Sequence, residues 1–200
     1  MDKKNSSTWD KITGLDEGKS LSDELVLKQL GIDGGVLDGL QESAIESAKE
    51  RLKVKINFLN KSSNPDPTYK YLDDSGFDLR ANLENDLVLK SLERSLVPTG
   101  IHFELPESYE IQVRPRSGLA AKNGISVLNT PGTVDRGYSG EIKIILINLS
   151  NEDFVVKNGD RVAQAVVSPV ISGRWAKLTK LNNLDNTLRG DGGFGSTGVK

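Results

Sequence analysis

From Lys53 onward the chain is a succession of short Val- and Ile-rich runs, and this pattern limits the fold more than any other feature. VKINFL, DLVLK, IHFEL, YEIQVRP, GISVLN, GEIKIILIN, EDFVVK and RVAQAVVSPV follow one another. Gly, Pro, Asn and Asp break them at roughly ten-residue spacing. Each run suits a strand and is too short for a helix of several turns. No long helical period intervenes, which argues against βαβ units and predicts an all-β sandwich, jelly roll or closed barrel. GEIKIILIN is apolar on both faces at its centre. It reads as a strand covered on both sides, by the domain core on one face and a subunit interface on the other.

The two flanks differ from this body. Residues 1–51 are polar, acidic and helix-favouring. Ser20-Leu-Ser-Asp23 resembles a capping box ahead of Leu25 and Leu27, Gly34-Gly35 breaks the pattern, and Val36 to Leu52 reads as a second helix with a thin apolar face. The expected division is an N-terminal extension over 1–51, a β domain over 52–188 and a flexible glycine-rich tail over 189–200.

Composition narrows the chemistry. Lys and Arg number 26 against 28 Asp and Glu, a net charge of −2 with no basic stripe of the kind that binds nucleic acid. The chain has no cysteine, so disulfides, Cys-ligated zinc and thiolate catalysis are excluded. With His102 as the single histidine, a His-centred zinc site or a Ser–His pair is disfavoured. Catalysis then has to run on carboxylates, hydroxyls, arginines and a metal held mostly by substrate oxygens. No apolar run reaches the roughly 18 residues of a membrane span. MDKKNSSTWDK also lacks the apolar stretch of a signal peptide. The expectation is a soluble protein of the cytoplasm (of a host cell, if the source is viral).

Five pieces carry possible chemistry. In Arg189-Gly-Asp-Gly-Gly-Phe-Gly-Ser-Thr-Gly198, glycines such as Gly195 let backbone N–H groups converge on an anion, Ser196 and Thr197 add hydroxyls, and Arg189 adds a planar fork suited to phosphate. Phe194 offers a ring on which a base can stack. Taken alone, the same run equally describes a disordered tail. Arg114-Pro-Arg-Ser-Gly118 offers phosphate donors, or an ordinary turn with a surface arginine. Asn129 to Glu141 contains a tight hairpin in which Asp135 can accept a proton from water and Tyr138 can form a wall for a sugar; alternatively, Asp135 is a turn residue capping backbone N–H groups. Ser75-Gly-Phe-Asp-Leu79 and Gly159-Asp-Arg-Val-Ala-Gln164 are weaker, and Asp160 and Arg161 read naturally as a turn pair.

Together and in this order, SGFDL, RPRSGLAAKNGI, NTPGTVDRGYSGEI, GDRVAQ and RGDGGFGSTG closely resemble the five motifs of the trimeric dUTPase family, over Val54 to Gly198. The resemblance implies a distorted jelly-roll β-fold, a homotrimer with sites shared between chains, and Mg²⁺-dependent hydrolysis of dUTP to dUMP and pyrophosphate. That activity limits uracil in DNA and supplies dUMP for thymidylate synthesis. It implies that Asp135 activates the attacking water and that Tyr138 packs on deoxyribose. Asn129, Thr133, Val134 and Lys143 are then the uracil-holding positions, and Arg116, Ser117 and Gly118 the phosphate ligands. Asp78 (through water) and Gln164 are the outer partners of the magnesium waters and phosphates. Arg189, Ser196 and Thr197 are the γ-phosphate ligands, beside Gly195, with Phe194 stacking on uracil. The chain departs from the family pattern at Ser75, usually Ala, at Gly137, often a second Asp, and at Ser139, often Arg.

The nearest alternative is a dCTP deaminase, or a bifunctional deaminase–pyrophosphatase, of the same fold family. Its paired-serine phosphate motif is absent here, and the Gly-Phe-Gly-Ser-Thr tail it lacks is present. A second alternative is a dUTP-gated regulator that binds a protein partner through residues 1–51. Those residues lie outside every motif. A chain lacking residues 1–50 is therefore expected to stay soluble and active, measured by circular dichroism and pyrophosphate release; loss of either would make the extension part of the working fold.

Overall fold

In several strands, Phe77–Arg80 and Ile101–Glu104 among them, alternation in the sequence shows directly as burial. The computed structural model describes residues 53–196. The helices expected within residues 1–51 lie outside the described residues. The described elements are β1 (Asn57–Asn60), β2 (Phe77–Arg80), β3 (Leu87–Leu89), β4 (Arg94–Pro98), β5 (Ile101–Glu104), β6 (Tyr109–Arg114), the helix α1 (Ser117–Asn123), β7 (Ile125–Val127), β8 (Gly132–Val134), β9 (Lys143–Asn148), β10 (Phe154–Val156) and β11 (Arg161–Pro169). The chain divides into two units, and all of these elements belong to the second, Asn57–Lys200. Among the described residues no helix is long and apolar enough to cross a membrane.

All the strand pairs are antiparallel, in sheets ordered β2-β11-β6-β8, β4-β9-β7, β1-β5 and β10-β3. Sequence-distant strands lie side by side, β2 against β11 and β4 against β9, as the crossing connections of a jelly roll require. In β9, Ile144, Leu146 and Asn148 are buried while Ile145 and Ile147 are half-buried on the opposite face. Leu79, Leu89, Ile111, Ile144 and Leu146 are almost wholly withdrawn from solvent, each contributing about 1.5–3 kcal/mol by burial. Across from Ile145 on the outer face, Leu96 is 55% exposed, so within one chain this face is only partly covered.

β8 falls in the segment read only as a tight hairpin, and β4 and α1 have no counterpart in the sequence reading. In β4 only Val97 of RSLVP is buried, so no alternation of apolar residues announces it. The helix α1 has no buried residue and therefore no apolar stripe. It starts without a side-chain cap at Arg116 and ends at Gly124 in the left-handed conformation.

Beside Thr99, Asn148 is a polar residue of the described core, and Asn148 has no exposed surface. Its Nδ2 donates to the carbonyls of Leu89 and Glu152 at 2.8 and 2.7 Å. Its Oδ1 accepts from the Ser150 N–H and Oγ at 2.9 and 2.8 Å. One side chain thus ties the end of β9 to β3 and to the turn before β10. Asn148→Ala should strand several of these groups and destabilise the chain by about 3 kcal/mol in urea unfolding. Glu152→Ala, which keeps the backbone carbonyl that Asn148 uses, should stay within about 0.5 kcal/mol of the parent. Equal effects would show that the network is not what holds this corner.

Candidate functional site

The hairpin between β7 and β9 is where the candidate residues gather. β8 lies on the edge of its sheet, pairing Ile111 with Val134 and Gln112 with Thr133, and so carries Asp135 out at its end. Asn129, Thr133, Val134, Asp135, Tyr138 and Lys143 all line one cavity of about 320 Å³, floored by Val113, Val127 and Ile144. That volume falls in the range of small-ligand sites, about 300–1,000 Å³. Val134 is buried, whereas Asp135 is exposed in the single chain. The described residues of a single chain therefore leave this acid open to solvent.

A clamp from the β4–β5 turn fixes the outgoing limb of the hairpin. Buried Thr99 donates its hydroxyl to the Ile142 carbonyl at 2.7 Å, and the Ile142 N–H bonds the Ile101 carbonyl at 2.8 Å. Glu141 Oε1 accepts from the Gly100 N–H at 2.8 Å, and its other oxygen faces Lys143 Nζ at 3.7 Å. His102 Nδ1 lies 3.0 Å from the Ser139 carbonyl and must carry the proton to donate to it. The Tyr138 hydroxyl turns back to the Glu141 carbonyl at 2.9 Å. Neither Glu141 nor His102 stood out in the sequence, because their partners are backbone groups of a distant turn.

A second cluster is organised by β11. Gln164 pairs with Asp78 of β2 on one side and Arg114 of β6 on the other, which sets three polar side chains at one level of the sheet. Gly76 permits the approach of β2: a Cβ there would sit 3.0 Å from the Ala165 carbonyl oxygen and 3.2 Å from Gln164 Oε1. Asp78 is held from two sides, by Arg116 Nε at 2.7 Å and Arg161 NH1 at 3.2 Å. Arg116 also donates to the Arg161 carbonyl at 3.1 Å, and Gln164 Nε2 to the Pro115 carbonyl at 2.9 Å. Asp78, Arg116 and Gln164 therefore do come together. Arg161, which the sequence offered only as half of a turn pair, joins them. Its neighbour Asp160 does act in the turn, accepting from the Lys157 N–H at 2.8 Å.

Two guanidiniums around one carboxylate leave a net positive cluster suited to phosphate oxygens. Beside it, Ser117 and Gly118 open α1, are exposed, and belong to a first turn whose N–H groups lack intrahelical partners. A Cβ at Gly118 would meet nothing within 4 Å, so a ligand has room there.

The tail stands apart from both clusters. Arg189 Nε bonds only the nearby Gly192 carbonyl, at 2.9 Å, and the Ser196 N–H bonds the Gly193 carbonyl at 3.0 Å. Phe194 is fully exposed. Gly195 is exposed, with φ at +89°, and Thr197 lies outside the described residues. Among the described residues no group of three or more His, Cys, Asp or Glu side chains could hold a metal ion.

Comparison with known proteins identifies the family and supports the fold. The family model described as dUTPase matches residues 62–198. The deoxyuridine 5'-triphosphate nucleotidohydrolase of Finegoldia magna is 50% identical over 145 residues, 72% of this chain and 99% of that protein. The corresponding protein of Bdellovibrio bacteriovorus is 52% identical over 149 residues, 74% of this chain and 98% of its own. Among solved structures, the dUTPase of Staphylococcus bacteriophage 80alpha with dUpNHpp superposes with a TM-score of 0.64 at 22% identity, covering 72% of this chain and 99% of that one. A dUTPase of phage phi11 of S. aureus, described as coordinating a structural Mg(II) ion, gives 0.58 at 19% identity over 66% of this chain and 99% of its own. At these identities the two phage structures speak to the fold.

Proposed function

This chain belongs to the dUTPase family and hydrolyses dUTP to dUMP and pyrophosphate, and we propose that it does so by attack of an Asp135-activated water on the α-phosphorus. The observation that carries the mechanism is the single cavity lined by Asn129, Thr133, Val134, Asp135, Tyr138 and Lys143. A carboxylate at the rim of a nucleoside-sized cleft can take a proton from water as the water attacks. Hairpin backbone groups of Asn129, Thr133 and Val134 would read uracil, with Lys143 beside them. A narrow cleft excludes the 5-methyl of thymine by shape, and hydrogen bonds matched to uracil reject cytosine. Tyr138 would pack against the deoxyribose.

The phosphates fit the other cluster. Arg116 and Arg161 present guanidiniums oriented by Asp78, and Ser117 and Gly118 offer a hydroxyl and free N–H groups. Arg189, Ser196 and Thr197 would close over the γ-phosphate, with Gly195 allowing the bend and Phe194 covering the base. The absence of a carboxylate cage among the described residues suits an ion that arrives chelated by the triphosphate and keeps several waters, rather than one resident in the protein. Such a magnesium ion would supply charge neutralisation for the departing pyrophosphate. Asp78 retains lone pairs beyond its two arginine contacts, and with Gln164 it can order waters of that ion.

Asp135 is exposed and the tail extends from its own domain unsupported, which favours a homotrimer in which each site borrows elements from neighbouring chains. The half-covered face of Leu96, Ile145 and Ile147 supplies an apolar surface for that assembly. Asp135→Asn should lower kcat by roughly 10²–10⁴-fold while keeping affinity for a non-hydrolysable dUTP analogue. Retention of more than about a tenth of kcat would remove Asp135 as the base. For the shared site, Asp135→Asn chains refolded one-to-one with chains ending at Leu188 should recover about a quarter of parental activity. No recovery from mixed trimers verified by mass spectrometry would show that hairpin and tail act within one chain.

A further inference from the structure

Gly140 is the hairpin glycine most tightly covered by another residue of the hairpin; at Gly132 a Cβ would meet nothing nearer than Asn129 Nδ2 at 3.2 Å. A Cβ built there would lie 2.5 Å from the Tyr138 hydroxyl oxygen, 2.6 Å from Cζ and 2.9 Å from Cε2. These are separations that bonded-out carbon atoms do not tolerate. The backbone does not need glycine at this point, because Gly140 is not among the positive-φ residues. What the absent Cβ accommodates is the phenol ring. The ring lies over Gly140 and is held there by its hydroxyl, which donates to the Glu141 carbonyl at 2.9 Å. That carbonyl is itself anchored, since Glu141 and Ile142 are tied to Gly100, Ile101 and Thr99 of the β4–β5 turn.

We propose that Gly140 is a specificity-determining residue that seats the Tyr138 ring and thereby sets the discrimination between 2'-deoxyribose and ribose. The inference rests on the reading of Tyr138 as the wall of the sugar pocket. With Gly140 the ring lies down on the backbone of its own hairpin, and its exposed face forms a fixed surface too close for a 2'-hydroxyl. Any side chain at 140 lifts the ring. Because a tyrosine at 48% exposure can swing outward, the displacement costs the fold little and moves the wall instead. Gly137 provides the contrast: it is on the same hairpin, also outside the positive-φ set, and a Cβ there would meet nothing within 4 Å.

The test compares kcat/KM for dUTP and UTP in the full chain and in Gly140→Ala, Gly137→Ala, Tyr138→Ala and the Tyr138→Ala/Gly140→Ala pair, with thermal melting of each. Gly140→Ala is expected to melt close to the parent and to lower the dUTP-to-UTP preference by about tenfold or more. Gly137→Ala should leave the preference unchanged. In the Tyr138→Ala background, adding Gly140→Ala should change it no further, because the ring through which it acts is gone. An unchanged preference in Gly140→Ala, beside a collapsed one in Tyr138→Ala, overturns the role of Gly140 and leaves the sugar wall standing. An unchanged preference in Tyr138→Ala overturns the wall itself, and the proposal with it. A Gly140→Ala chain that fails to fold, while the double variant also fails, would show that the backbone rather than the ring requires glycine.

Discussion

Strand β11 has to satisfy hydrogen bonds on both its edges, and much of the site follows from how it does so. It pairs with β2 over Arg80 to Phe77 and with β6 over Arg114 to Tyr109. Both partners lie far before it in sequence, so the pairing ties the later part of the β domain to the earlier and at once brings Asp78, Gln164 and Arg114 to one level. A register slip of one residue would turn Gln164 to the opposite face and bury a polar side chain where Ala163 or Ala165 now packs. The buried alanines therefore protect the geometry of the polar cluster as well as the core. Glycine at position 76 is the local condition for this, since a larger residue would push β2 away from β11.

The hairpin is governed differently. Sheet pairing fixes only the near part of the hairpin, through β8, and the limb beyond Asp135 has no strand partner until β9. Side-chain and backbone bonds from the β4–β5 turn take over there, through Thr99, Gly100, Ile101 and His102. The two halves of the site thus rest on separate supports, one a sheet register and the other a turn-to-turn clamp. A change in the core beneath β11 acts first on the Asp78–Arg116–Arg161 cluster, whereas a change at Thr99 acts first on the hairpin.

The amount of this that could be read from sequence depended on the period of the signal. The apolar runs marked β5, β6, β9 and β11, the first two by alternation of more and less buried positions and β9 by being apolar on both faces. β4 and α1 carry no such alternation: Val97 alone is buried in the first and nothing in the second, so their geometry is imposed by neighbours. The hairpin residues were legible because turn chemistry is local, with Pro131, Gly132 and Gly137 within a few positions of Asp135. The Arg161–Asp78 pair spans 83 positions, and no local pattern signals it. Glu141 and His102 act on backbone groups, which have no sequence identity to detect. The family motifs gave the residue types of the site, while the ties among them came from the folded chain.

The clamp also explains where this chain is free to vary. His102 holds position 139 by its carbonyl, which every residue possesses, and position 137 opens onto empty space. Those are the two hairpin positions at which the sequence departs from the family pattern, with Gly137 for an acid and Ser139 for an arginine. Neither position packs its side chain within the described chain, so the fold of the single chain places no steric demand on either. Position 140 sits between them and the anchored Glu141, under a ring that leaves no space for a carbon. Within four consecutive residues the hairpin thus holds open positions beside one that its own ring closes.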